Sequence, residues 1–378
     1  MNNLQIINSE TIEEIAKLRN GEKKLHQVVQ YPNNSDDLLD RINDPQIEFV
    51  LFGIKEDIGI QANHGHPGAK ETWDSVLKTL LNIQSNEFTN GSNILVLGHL
   101  DFSDLYANHY LTDADKSLKT YRRQVETIDQ SVNQLVYSIV KAGKIPIVVG
   151  GGHNNAYGII KGCALALKTK INTINFDAHT DLRPQEGRHS GNGFSYAIEE
   201  GFLDRYFIFG LHENFISKKI LKYINASKSK IKFRTFEDLI VRKKISLKKA
   251  SKNAIKFLSE SKFGIEIDCD AIENIASSAQ TPSGFSVNQT RQFVHFFGSH
   301  KKAIYLHICE ASSVNDAREN DQTGKLITHR TPHRHPHQHH PRQHHHRQPH
   351  QHQHPQPHQR HHHPRHQHQR RHQQQHHQ

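Results

Sequence analysis

Ile174-Asn-Phe-Asp177-Ala-His179-Thr-Asp181 starts as an apolar strand and ends in three side chains that no apolar core accepts unpaired. Two other stretches repeat the pattern: Ile147-Val-Val-Gly-Gly-Gly-His153 and Gly264-Ile-Glu-Ile-Asp268-Cys-Asp270. Residues two apart share a strand face, so Asp177, His179 and Asp181 are expected to project together, as are Asp268 and Asp270. Four carboxylates and two imidazoles meeting in one cleft repel strongly unless cations sit between them. Two divalent ions neutralise the charge, and this oxygen and nitrogen donor set suits Mn²⁺ better than a thiolate-seeking metal. Cys269 is expected on the opposite strand face. The expected chemistry is hydrolytic, with a solvent molecule shared by the two ions attacking a planar carbon.

Outward from these segments, apolar β-branched runs alternate with stretches of helical period. Eight strands are expected, at Phe49–Ile54, Asn93–Leu100, Ile145–Gly150, Thr173–Asp177, Tyr206–Gly210, Phe233–Thr235, Phe263–Asp268 and Ala303–Ile308. Helices are expected over Leu118–Ala142, capped by Gly143, and over Asn154–Lys168 and Val287–Phe297. The pattern predicts an α/β fold: a three-layer αβα arrangement on a mostly parallel, about eight-stranded sheet. In such sheets ligands bind beyond the carboxyl ends of the strands, where all three polar clusters fall. Trp73 with Val76, Leu77 and Leu80 reads as core. Asn154, Asn155 and Tyr157 read as capping and packing, and His307 as a hydrogen-bonded core histidine.

The 378 residues carry a net charge of +10, but the excess is local. From His329 the chain holds only His, Gln, Pro and Arg apart from one Thr, with eight arginines and no acid. Without those arginines the body is near +2, so the charge is no argument for a nucleic-acid partner. Residues 1–325 are expected to form one catalytic domain, and 326–378 a disordered low-complexity tail. Three origins of the tail stay open: a frameshift product, since His, Gln, Pro and most Arg codons share a first base, a metal-buffering segment, or an unrelated solvated extension. There is no signal peptide to be seen and no run long enough to span a membrane. Cys163, Cys269 and Cys309 form no close pair, and they read as the reduced thiols of a cytoplasmic protein.

From Phe49 to Lys325 these motifs resemble the ureohydrolase family of arginase, agmatinase and formimidoylglutamase. The resemblance implies that His153 and Asp181 bind a first manganese, His179 and Asp270 a second, and that Asp177 and Asp268 bridge the two Mn²⁺ ions. It also implies that Glu310, ending Tyr305-Leu-His-Ile-Cys-Glu310, grips the amidine nitrogens of a small-molecule substrate. Several stretches are similar to the formimidoylglutamase branch. Gly152 stands where arginases and agmatinases carry aspartate, and Asp181 is followed by Leu182-Arg183. The loops Asp57-Ile-Gly59-Ile-Gln-Ala-Asn63-His-Gly65-His-Pro-Gly68-Ala69 and Gly187-Arg-His-Ser190-Gly191-Asn-Gly-Phe194 also fit that branch.

The implied substrate, N-formimidoyl-L-glutamate, has an amidine head and two carboxylates. Its site needs cations away from the metals, and Arg183 and Arg188 are the candidates, with Asn63, Ser190 and Asn192 as neutral donors. Hydrolysis gives L-glutamate and formamide, a step of histidine breakdown, and Asp181 or His189 is expected to return a proton to the leaving amine. The sequence departs from the branch at His66, usually arginine, and at His189, usually serine. Agmatinase or arginase activity remains the alternative within the family. A His-rich metal store and an inactive relic are the alternatives outside it. A homo-oligomer is compatible with every reading.

Overall fold

The computed structural model describes residues 3–106, 114–312 and 324–325. The sequence-predicted tail from 326 onward lies outside the described residues. Among the described residues nine strands form one sheet: β1 (Leu4–Ile6), β2 (Phe49–Lys55), β3 (Ile94–Asp101), β4 (Ile145–Val149), β5 (Ile171–Phe176), β6 (Leu203–Leu211), β7 (Ile231–Thr235), β8 (Phe263–Asp268) and β9 (Ala303–Cys309). Their order is β1-β3-β2-β4-β9-β8-β5-β6-β7, parallel throughout except for β1. All eight expected strands are present. The ninth, β1, is an antiparallel edge strand of three residues, too short to leave a periodic signal.

The sheet is buried on both faces, with alternate residues feeding two cores. Phe49 and Leu51 belong to one core with Trp73, Val76, Leu77 and Leu80 of the helix Thr72–Leu81, and the helices Leu247–Leu258 and Val287–Gly298 contribute to the same core. Val50, Phe52 and Ile54 face the helices Ala114–Lys141 and Asn155–Leu167. The longest helix buries Val125, Ile128, Val132, Leu135, Val136 and Ile139, a stripe at three- and four-residue spacing. Each such side chain contributes about 2 kcal/mol of transfer free energy. That helix ends at Gly143, whose φ of +77° is left-handed. Gly53 is required by packing, because a Cβ there would lie 2.3 Å from the Trp73 ring.

The four central strands β4, β9, β8 and β5 are consecutive in the sheet. Their carboxyl ends carry His153, Glu310, Asp268 and Asp177, which brings residues distant in sequence to one place. Among the described residues no helix is long and apolar enough to cross a membrane.

Candidate metal centre and active site

The trio after β5 does not sit on a strand. β5 ends at Phe176, and the chain then bends, with Asp177 Oδ1 accepting from the His179 amide at 2.7 Å. Asp181 follows in a left-handed conformation, φ +47°. The same device operates after β8: Asp268 Oδ1 accepts from the Asp270 amide at 2.7 Å and opens a 3₁₀ turn. These carboxylates converge because each caps the backbone two residues on, which replaces the strand-face alternation expected from the sequence.

The six expected ligands lie together. His153 Nδ1 faces Asp181 Oδ2 at 2.8 Å, Asp268 Oδ2 at 3.0 Å and Asp177 Oδ2 at 3.6 Å. His179 Nδ1 lies 3.5 Å from Asp177 Oδ1 and 4.0 Å from Asp270 Oδ2. One ligand atom each from His153, Asp177, Asp181 and Asp268 falls within 4.8 Å of the others. Asp177 thus stands between the two imidazoles, with Asp268 on the His153 side and Asp270 on the His179 side. Cys269 packs in the apolar core, away from this cluster.

The electrostatics of this cluster fit cations. Burial, then the charge of Asp270 and Asp177, pushes Asp268 well above the usual carboxylate range. Burial, then Asp177, raises Asp181. Burial works to lower His179, but Asp177, Asp270 and Asp181 outweigh it and push the imidazole up to about 10. With the protein groups alone, protons are held in place of the positive charge the cluster is built to receive.

Glu310 follows β9 at φ +62°, and its Oε1 accepts from the His153 amide at 2.6 Å. Its Oε2 is buried and has no hydrogen-bond partner among the described residues. Burial and Asp270 push this carboxyl up to about 8. One oxygen is anchored, and the other is available to a nitrogen donor. Beneath the Gly150–Gly152 turn lies Glu56, a fully buried carboxylate that the sequence reading missed. It accepts from the Gly152 amide at 2.9 Å, Asn155 Nδ2 at 2.6 Å, Asn154 Nδ2 at 3.2 Å and the Gly59 amide at 3.1 Å. A Cβ on Gly152 would lie 2.5 Å from Asn154 Oδ1 and 2.9 Å from Ile60 Cγ1, so this turn has no room for the aspartate of arginases.

A cavity of about 940 Å³ opens over the cluster, and its lining includes Asp181, Asp268, Asp270, His179 and Glu310. Asn63, Arg183 and Ser190 also line it, as do three residues the sequence reading did not single out: His64, Lys219 and Phe215. Arg183 donates to Asn63 Oδ1 at 2.5 Å and to Glu186 at 3.2 Å, and Asn63 donates to Ser190 Oγ at 3.2 Å.

Arg188, Asn192 and His189 are not among the residues that line this cavity. Arg188 is buried, binds both oxygens of Asp129 and the Asn154 carbonyl, and stacks over Tyr157 and Tyr196. Asn192 accepts from Arg188 and the His189 amide, and donates to the carbonyls of Pro184 and Gly187. Its amide is spent on the loop. His189 is buried, and its Nδ1 accepts from the Gly191 amide at 3.1 Å. A short polar loop cannot reveal from sequence which of its side chains turn inward.

His189 yields a prediction. Burial, followed by Arg183, Arg122 and Arg188, holds its imidazole down to about 3. The unfolded chain takes up a proton near pH 6.5 that the folded chain refuses until about pH 3. Its contribution to stability is intact above about pH 6.5 and fades as pH falls toward 3. His189→Gln is therefore expected to flatten this part of the melting-temperature profile and to leave kcat within a few-fold of wild type. An unchanged acid profile would mean that the imidazole protonates within the fold.

Paired carboxylates and histidines at the ends of central parallel strands are the donor set of a metal-dependent hydrolase. The sequence model of the arginase family matches residues 47–331, and the chain belongs to that family. It is 30% identical over 247 residues to the formimidoylglutamase of Streptococcus gordonii, covering 61% of this chain and 68% of the relative. With that of Streptococcus pyogenes serotype M12 it shares 25% over 280 residues, 71% and 78% of the two chains. Among solved structures, Trypanosoma cruzi formiminoglutamase with Mn²⁺ superposes with a TM-score of 0.63 at 18% identity, over 82% of this chain and 97% of that one. The formimidoylglutamase of Bacillus subtilis gives 0.62 at 18% identity, over 83% and 92%. At such identity these two likenesses speak for the fold.

Proposed function

We propose that this protein hydrolyses N-formimidoyl-L-glutamate to L-glutamate and formamide with two Mn²⁺ ions, in a reducing compartment such as the cytoplasm. The observation that carries the reading is that one cavity is lined by both carboxylates and cationic side chains. Glu310 and the carboxylate cluster line it, and Arg183 and Lys219 supply cationic side chains to its wall. An amidine head suits the first and two carboxylates suit the second. The relatives named above support the assignment, and three buried cysteines that form no disulfide with one another fit the compartment.

His153, Asp177, His179, Asp181, Asp268 and Asp270 would hold the two ions. When bound, the ions lower the pKa of water and so supply the nucleophile. Glu310 Oε2 accepts an N–H of the amidinium and orients its carbon toward that nucleophile, while its anchored Oε1 keeps the carboxylate from swinging away. Arg183, held in place by Asn63 and Glu186, pairs with a substrate carboxylate. Asp181 lines the cavity and lies beside His153, so it can pass a proton to the leaving amine. His189 is not needed for this step.

Steady-state assays with formimidoylglutamate, arginine and agmatine test the assignment. Preferential turnover of formimidoylglutamate is expected, and turnover of arginine or agmatine alone would overturn it. Arg183→Ala is expected to raise KM for formimidoylglutamate about 10-fold with little change in kcat, the loss of one partly exposed charged hydrogen bond. An unaltered KM would remove Arg183 from the substrate's carboxylates.

A further inference from the structure

The two histidines of the cluster are held in different ways. His153 is buried, with Phe194 edge-on at 5.2 Å and the Glu310 carboxylate fixing its own amide. The His179 side chain is 31% exposed, and the contacts it makes to Asp177 and Asp270 run through Nδ1, which leaves its ring face toward the cavity as the remaining surface to be held. Metal-binding histidines ordinarily donate their other ring N–H to a carboxylate or carbonyl, which fixes the ring plane. At His179 a ring stacked on the imidazole face offers a second way to fix it.

Phe215 lies nearly parallel to His179, ring centroids 5.0 Å apart at 18°. It belongs to the short turn Glu213–Phe215 after β6 and lines the active-site cavity, with 43% of its surface exposed. The stack continues inward. Phe215 lies 5.3 Å from the His212 ring at 9°, and His212 lies 4.6 Å from Phe236 at 18°. Phe236 meets Phe285 edge-on at 5.1 Å, and Phe285 packs on Phe176, the residue before Asp177.

The turn itself is tied down. The His212 amide donates to the Ala178 carbonyl at 3.0 Å, and the Glu213 carboxylate pairs with Arg242. His212 is buried, and its Nε2 has no hydrogen-bond partner among the described residues. Its ring therefore serves the stack through its faces rather than through its nitrogens.

We propose that Phe215 is a positioning residue for His179: the stacked rings fix the imidazole plane by contact. This rests on the binuclear reading above. An exposed aromatic side chain is costly to keep in contact with water, and its use here is to present a flat, rigid face to the imidazole. Loosening that face leaves every donor atom in the chain but lets the His179 ring rotate away from the second ion.

The test is a Mn²⁺ titration of the metal-stripped full chain, following free Mn²⁺ by electron paramagnetic resonance. Wild type is expected to take up two ions. Phe215→Ala is expected to retain one at wild-type affinity and bind the other about 10–100-fold more weakly, the usual effect of losing an outer partner of a ligand. Phe215→Tyr, which keeps the ring, is expected to restore both. Should alanine unfold the chain, Phe215→Leu provides the same comparison, since it keeps apolar volume without a planar ring, and it too is expected to weaken the second ion. If either variant binds both ions as wild type does, the positioning role is overturned. If wild type itself takes up fewer than two ions, it is the binuclear reading that fails.

Discussion

Asp268→Asn is expected to lower kcat/KM by about 10³-fold or more, since a metal centre supplies several kcal/mol to the transition state and about 4 kcal/mol corresponds to that factor. Asparagine has the shape of aspartate, and its Oδ1 can still accept from the Asp270 amide, as Asp268 does at 2.7 Å. The substitution removes charge and little else. Asp268 carries the greater burden because it faces His153 Nδ1 at 3.0 Å while capping the turn that holds Asp270. A second consequence follows from the raised pKa of this carboxyl, which burial, Asp270 and Asp177 cause. Without cations the wild-type cluster is self-repelling, so the metal-free variant is expected to melt no lower than metal-free wild type. Added Mn²⁺ is expected to raise the melting temperature of wild type and to raise that of the variant less. A variant that gains as much from Mn²⁺ as wild type would remove Asp268 from the metal centre.

Glu310→Gln is expected to reduce kcat/KM for formimidoylglutamate by about 10²-fold, the value of one strong charge-assisted hydrogen bond of about 3 kcal/mol. Glutamine can still accept from the His153 amide through its carbonyl, so the local backbone is retained. What it loses is the negative charge at the buried Oε2, which has no partner of its own among the described residues. The effect is expected in KM and kcat together, because a group that both binds and orients the amidinium acts in the ground state and the transition state. Metal uptake is expected to be unchanged, which separates this variant from Asp268→Asn. Equal loss of metal in both would make Glu310 a ligand instead of a substrate contact.

The sheet was legible in the sequence because buried parallel strands write long apolar runs, and eight such runs gave eight strands. The three-residue β1 lies below what periodicity can register. The cluster was legible because Asp177, His179, Asp181, Asp268 and Asp270 interrupt apolar runs where nothing else explains them. How they converge was not legible. Strand alternation was the natural expectation, whereas the chain leaves the strand and each leading aspartate caps the residue two positions on. Loop side chains were the least legible of all. Arg183 and Arg188 look alike in sequence, yet one lines the cavity and the other is clamped on Asp129, a partner 59 residues away that no local pattern identifies. Glu56 was missed for the same reason: its worth comes from four donors, three of them about a hundred residues away in the Gly152–Asn155 turn.

Anomalous X-ray diffraction from Mn²⁺-soaked crystals of the full chain tests the central claim most directly. The account predicts two manganese peaks about 3.5–4 Å apart, one beside His153 and Asp181, the other beside His179 and Asp270, with Asp177 and Asp268 in contact with both. A single peak, or peaks away from these six side chains, would contradict it.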